Sequence, residues 1–113
     1  MSGLTTHVLD TMHGRPAAGV ALRLLKGGVV LAEARTNADG RCDAPLLDAA
    51  SLAEGRYRLE FEVGAYYRAL SVALPATPFL ETVAVEFGVD DPAAHHHVPL
   101  LVSPYAYSTY RGS

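Results

Sequence analysis

Two histidines, two arginines and a hydroxyl-bearing last segment are the groups of this sequence best suited to chemistry near neutral pH. His7 lies inside the run Leu4 to Asp10, alternating with Thr5 and Leu9. His97 opens the run His97-Val98-Pro99-Leu100-Leu101. An imidazole changes charge near pH 6.5, so it can take a proton from water or pass one to a leaving group. Arg41 follows Asp39-Gly40 at the start of a strand-like run, and a planar guanidinium suits negative charge developing on an oxygen. Tyr110-Arg111-Gly112-Ser113 adds an aromatic ring, a second guanidinium, a hydroxyl and, at the last residue given, a carboxylate. Chain ends are usually frayed and idle, so this combination directly after an apolar strand is informative. Taken singly, each of these residues also reads as a solvated surface group, and His7 as a half-exposed histidine.

Other chemistries have weaker support. His95 and His97 are two apart on one strand face and could share an ion, but no second cluster supplies the three or four ligands that zinc needs. No metal site is expected. Cys42 beside Arg41 has the makings of a thiolate nucleophile, yet a lone strand cysteine is more often a small buried hydrophobe. No Gly-x-Ser-x-Gly elbow, phosphate-binding loop or dinucleotide fingerprint is present.

The elements that must hold these groups read mostly as strands. In Arg56 to Val63, Tyr57, Leu59, Phe61 and Val63 alternate with four charges, which means one buried and one wet face. Val83, Val85 and Phe87 alternate similarly, as do Val20, Leu22 and Leu24 less cleanly; Leu4 to Asp10 and Val29 to Thr36 complete the set. Turn signals at Gly14-Arg15-Pro16, Gly27-Gly28, Ala38-Asp39-Gly40, Gly55 and Asp90-Asp91-Pro92 fall between the runs. Such close spacing predicts an antiparallel sandwich. Ala65 to Ser71 is expected as a short helix ended before Pro75 and Pro78, with a strand as the alternative, and Leu46 to Glu54 as an exposed loop. Ala94 to Val102 should pair through a Ser103-Pro104 turn with Tyr105 to Arg111. Both faces of that hairpin are largely apolar, so Pro99 and Leu101 exposed beside Tyr110 would form a patch typical of an interface or ligand groove.

The bulk numbers agree with a globular protein. The chain has 113 residues, half of them apolar and 19% charged, with a net charge of -3. That length is a single domain, expected over 1–113. No basic cluster points to nucleic acid or an acidic membrane surface. One cysteine excludes an intrachain disulfide, and the first residues show neither a basic nor an apolar leader region. A cytoplasmic location is the expectation.

Three segments carry a family likeness: Thr6-His7-Val8-Leu9-Asp10-Thr11 with Gly14-Arg15-Pro16-Ala17; Thr36-Asn37-Ala38-Asp39-Gly40-Arg41; and His97 to Leu101 with Ser103-Pro104 and Tyr107 to Ser113. In this order they resemble the transthyretin-related enzymes, the 5-hydroxyisourate hydrolases. The resemblance implies an all-β, transthyretin-like sandwich of two four-stranded sheets with one short helix, assembled as a homotetramer (a dimer of dimers) with active sites where dimers meet. It implies hydrolysis of 5-hydroxyisourate to 2-oxo-4-hydroxy-4-carboxy-5-ureidoimidazoline in urate degradation, with no cofactor and no metal. His7, Arg41, His97 and Ser113 are the implied catalytic set, and His7, Arg41, Tyr110 and Arg111 the implied substrate-binding set. Which histidine is the base stays open. His96 stands where relatives are often aromatic, and Cys42 where a polar residue is common. The alternative functions are a non-catalytic tetramer binding a small aromatic ligand in its channel, or a plain structural sandwich.

Overall fold

A computed structural model describes residues 3–112. Two sheets face each other. The first has the strand order β2-β1-β8-β9, built from β1 (Gly3–Asp10), β2 (Arg15–Pro16), β8 (His95–Ser103) and β9 (Ala106–Thr109). A fifth, two-residue strand, β5 (Leu47–Asp48), also pairs with β1. The second sheet runs β4-β3-β6-β7, from β3 (Ala21–Lys26), β4 (Val29–Arg35), β6 (Gly55–Glu62) and β7 (Thr82–Val89).

Period-two patterning puts side chains where the alternation predicts. Tyr57, Leu59 and Phe61 of β6 point inward, while Arg58 between them and Arg56 before them stay wet. They meet Leu4, Val8, Leu100 and Val102 from the opposite sheet in one hydrophobic core. Truncating a fully buried aromatic such as Phe61 to alanine would cost about 3–5 kcal/mol. In β3 the alternation fails at Leu24 and Leu25, both buried, because the pairing with β4 shifts register between them.

The sandwich class is as expected, but four details differ. The central pair of the first sheet, β1 with β8, is parallel, with Thr5 opposite His97 and His7 opposite Pro99. A hairpin cannot make such a pair; here most of the chain forms the crossover. The helix α1 runs Val63–Ala69, two residues earlier than expected at each end, because Tyr66 and Tyr67 must be buried against β1. The stretch Leu46 to Glu54 is not a free loop. Leu46 and Leu52 are buried, the Leu46 amide donates to the Leu4 carbonyl, and Asp48 organises the turn by accepting from the Ser51 amide. In the final hairpin, Pro99 is buried rather than exposed, and the return strand is only four residues long. Its side chains Tyr107 and the flanking Tyr105 and Tyr110 are exposed, so the apolar surface sits there.

Asp10 fixes the far end of β1. Its buried carboxylate accepts hydrogen bonds from the Tyr66 hydroxyl at 2.7 Å, the Tyr67 hydroxyl at 2.9 Å and His13 Nδ1 at 2.6 Å. Burial works against its charge, but the bonds from His13, Tyr66 and Tyr67 prevail and hold its pKa below the ordinary value. The same network pushes both tyrosines well above theirs, through burial first and Asp10 second. The strand that carries His7 is thereby tied to the helix.

Candidate active site

The outer face of β1 and β8 becomes a site because three short segments cover one edge of β1 in succession. Near its C-terminal end β2 pairs with Leu9 and Asp10; near its start β5 pairs with Gly3 and Leu4. Between them Arg41 bridges to His7. The turn that delivers Arg41 is built by Asn37, whose side-chain oxygen accepts from the Asp39 and Arg41 amides at 2.9 and 3.2 Å. Gly40 closes it. Its φ is +77°, its carbonyl accepts from the Val8 amide at 2.8 Å, and a Cβ there would lie 2.5 Å from the Val8 carbonyl oxygen. Asp39-Gly40 is thus the device that sets a guanidinium beside an imidazole.

On the other side, β8 presents His95 and His97 on one face, because successive side chains alternate. His96 between them is turned into the core, where its Nδ1 donates to the Ala94 carbonyl. The segment after β9 folds back over this face. The Gly112 amide donates to the His97 carbonyl at 2.7 Å, and a Cβ on Gly112 would lie only 2.7 Å from His97 Cδ2. Glycine at this position lets the tail lie flat on the histidine ring.

These pieces enclose an open cleft of about 520 Å³, lined among others by His7, Arg41, His95, His97, Pro99 and Tyr110. The rings of His7 and His97 are 6.4 Å apart between centroids. His7 Nε2 donates to the Asp39 carbonyl at 3.0 Å. Thr5 Oγ1 lies 2.7 Å from His97 Nδ1 and 3.3 Å from His95 Nε2. Both active-face histidines have lowered pKa values. For His7 the causes are burial and then the charge of Arg41, which outweigh the bond to Asp39. For His97 they are burial, then Arg41, His7 and His95. Each is therefore held below 6.5 and neutral at pH 7. Such a cleft can activate a water through a neutral imidazole and stabilise an oxyanion with a guanidinium.

The structure brings His7, Arg41, His97 and Tyr110 to one cleft. Arg111 is not part of its lining; its guanidinium reaches the His95 carbonyl at 3.5 Å. Ser113 lies outside the described residues. Cys42 lines the cleft, but burial and then Asp43 raise its thiol pKa, the opposite of what a thiolate nucleophile needs. Among the described residues no group of three or more His, Cys, Asp or Glu is arranged to hold a metal ion, and no helix is long and apolar enough to cross a membrane. Thr5 and the Asp39 carbonyl were not legible as site groups. The one available signal for Thr5 was its place two residues before His7, on the same strand face.

A two-sheet β-sandwich with one short helix and a histidine–arginine cleft on one outer face defines the class of protein. Its relatives narrow this further. The chain belongs to the HIUase/Transthyretin family, whose model matches residues 4–112. It is 55% identical over 117 residues to the 5-hydroxyisourate hydrolase of Ralstonia nicotianae, covering 100% of both chains. Its structure is similar to that of Klebsiella pneumoniae 5-hydroxyisourate hydrolase, with a TM-score of 0.84 and 38% identity across 100% of both chains. It is also similar to an (S)-allantoin synthase, with a TM-score of 0.92 and 39% identity, but there it covers 99% of its own length and only 44% of the other chain.

Proposed function

We propose that this chain is a 5-hydroxyisourate hydrolase acting as a single domain over residues 1–113, opening a ring amide to give 2-oxo-4-hydroxy-4-carboxy-5-ureidoimidazoline. One observation carries the reading at the level of chemistry: two imidazoles lie 6.4 Å apart in a cleft with Arg41, both depressed below 6.5. The full-length likeness to a hydrolase of that name supports the choice of substrate.

In this mechanism the substrate lies in the cleft with its carbonyl toward Arg41. One histidine takes a proton as water adds to the carbonyl carbon, and the carbonyl electron pair moves to oxygen. Arg41 holds that oxyanion with donors whose planar arrangement is fixed before the reaction begins. The carbonyl then re-forms, the carbon–nitrogen bond breaks, and the departing nitrogen takes the proton back from the imidazolium. Tyr110 and Arg111 bind the polar edge of the heterocycle, and Ser113 completes the catalytic set. The reaction, so written, requires no metal or cofactor.

The functional unit is a homotetramer, a dimer of dimers, in the cytoplasm. Two features support assembly: β9 ends its sheet with one paired edge, and Phe79 and Tyr105 stack at 6.2 Å as exposed rings near it. The test is consumption of freshly made 5-hydroxyisourate in large molar excess over the chain. Many equivalents consumed faster than in buffer support the hydrolase. Loss of about one equivalent per cleft, without turnover, would instead mean a carrier.

A further inference from the structure

We propose that Thr5 is a positioning residue that sets the tautomer of His97, and that it thereby divides the work between the two histidines. His7 is the base, acting through Nδ1; His97 is the hydrogen-bond donor, acting through Nε2–H. The division of work rests on the hydrolase reading, whereas the tautomers do not.

The argument begins with one proton. A threonine hydroxyl has a single hydrogen to donate, and Thr5 Oγ1 stands between two ring nitrogens. The contact to His97 Nδ1 is 2.7 Å and that to His95 Nε2 is 3.3 Å. A hydroxyl with one proton gives it to the nearer nitrogen, and the farther nitrogen then meets the hydroxyl oxygen only as an N–H. Thr5 therefore donates to His97 Nδ1 and accepts from His95 Nε2–H.

Burial selects the same direction. His95 Nδ1 is buried and finds no hydrogen-bond partner among the described residues. Had Thr5 donated to His95 Nε2, a neutral His95 would carry its proton on Nδ1, leaving an orphaned buried N–H. With the proton on Nε2 the orphan is a lone pair, the milder of the two defects. The backbone makes this arrangement possible. Thr5 and His97 are register partners across the parallel β1–β8 pair, and His95 stacks beside His97 with 12° between the ring planes.

The consequences for the two cleft histidines are opposite. His97 accepts at Nδ1, so its proton sits on Nε2, at the outer end of the ring. His7 donates Nε2–H to the Asp39 carbonyl, which can only accept, so its lone pair is on Nδ1. A carbonyl accepting from an imidazole raises its basicity, as in carboxylate-supported histidines, and a hydroxyl donating to one lowers it. His7 is thus the better base and His97 the better donor. In the reaction His7 Nδ1 takes the proton of the attacking water as the oxygen–carbon bond forms. His97 Nε2–H and Arg41 share the oxyanion, a use of neutral imidazole as an electrophile. When the carbon–nitrogen bond breaks, its electron pair stays on nitrogen and the proton on His7 goes to it. Among the described residues, Arg41, His7 and His95 are the charged or titratable groups that act on His97, and none of them is an anion that would favour the imidazolium.

The test is nitrogen-15 NMR of the full chain with labelled histidine at pH 8, where both rings are neutral, on the wild type, Thr5→Val and Thr5→Ser. The expected result is a proton on Nε2 of both His7 and His97 in the wild type. Thr5→Val should let His97 redistribute between tautomers and lower kcat/KM about tenfold, the weight of one hydrogen bond. Thr5→Ser should restore both the single tautomer and most of the rate. A wild-type His97 with its proton on Nδ1 overturns the proposal, even if the valine variant fails to fold. So does a folded Thr5→Val with an unchanged tautomer and rate. If the tautomers are as stated but the wild type does not turn over 5-hydroxyisourate, the proposed function fails and the division of work falls with it.

Discussion

Replacing Gly112 by alanine asks whether the placement of His97 matters for turnover. The added Cβ would lie 2.7 Å from His97 Cδ2, about 0.8 Å inside the ~3.5 Å at which two carbons rest in contact. The tail cannot simply lift away without losing the Gly112 amide bond to the His97 carbonyl, which is 2.7 Å long. The ring therefore takes up most of the displacement. A misplacement approaching 1 Å in a catalytic group costs about 100-fold in rate, or about 2.7 kcal/mol of barrier. Gly112 lies on the surface side of the sheet, so the melting temperature should move by no more than a degree or two. The assay is the absorbance decay of freshly made 5-hydroxyisourate, corrected for its decay in buffer, beside a thermal melt. Gly112→Ala with kcat/KM within twofold of wild type would refute the reasoning, because the ring would then be free to adapt or irrelevant.

Other perturbations address the remaining parts. Arg41→Lys should lower kcat/KM almost as far as Arg41→Ala, since an ammonium cannot reproduce the planar fork; steady-state kinetics on the pair decides this, and a fully active lysine variant would reduce Arg41 to a point charge. The acid limb of kcat/KM should fall below pH 6.5, because both histidines are depressed and the neutral forms are the working ones; a limb centred above pH 7 in the pH profile contradicts this. Asp10→Ala should cost about 3 kcal/mol by leaving the buried Tyr66 hydroxyl without its acceptor and Tyr67 with the Val102 carbonyl alone, measured by urea unfolding. Because the Asp10 pKa is lowered in the folded state, its contribution is fully present above the ordinary carboxylate value near 4 and is lost as pH falls through the lower folded value; a wild-type stability that rises on acidification through that window would contradict the network.

The fold was legible where one face of a strand is buried and the other wet, as in β6 and β7. It was less legible where tertiary contacts overrule local pattern. The helix starts at Val63 because Tyr66 and Tyr67 reach Asp10, 56 and 57 residues away in the chain but brought beside them in the fold. Leu46 and Leu52 sit in a polar stretch that reads as a loop, yet both are buried where the segment closes over the start of β1. No periodicity reveals that β1 and β8 pair in parallel, and that register is what sets Thr5 against His97. Side-chain types made His7, Arg41 and His97 candidates, but with five histidines and eight arginines in the chain it was the family resemblance that singled them out. Thr5, Gly112 and the Asp39 carbonyl are common groups whose significance comes only from position.

The most direct measurement sets wild type and His97→Asn side by side on freshly made 5-hydroxyisourate, with a buffer control in the same cell. The account predicts acceleration by the wild type and a kcat about 100-fold lower in the variant, which loses the imidazole N–H aimed at the oxyanion, with the fold intact by circular dichroism. Equal acceleration by both proteins, or none by a folded wild type, would contradict it.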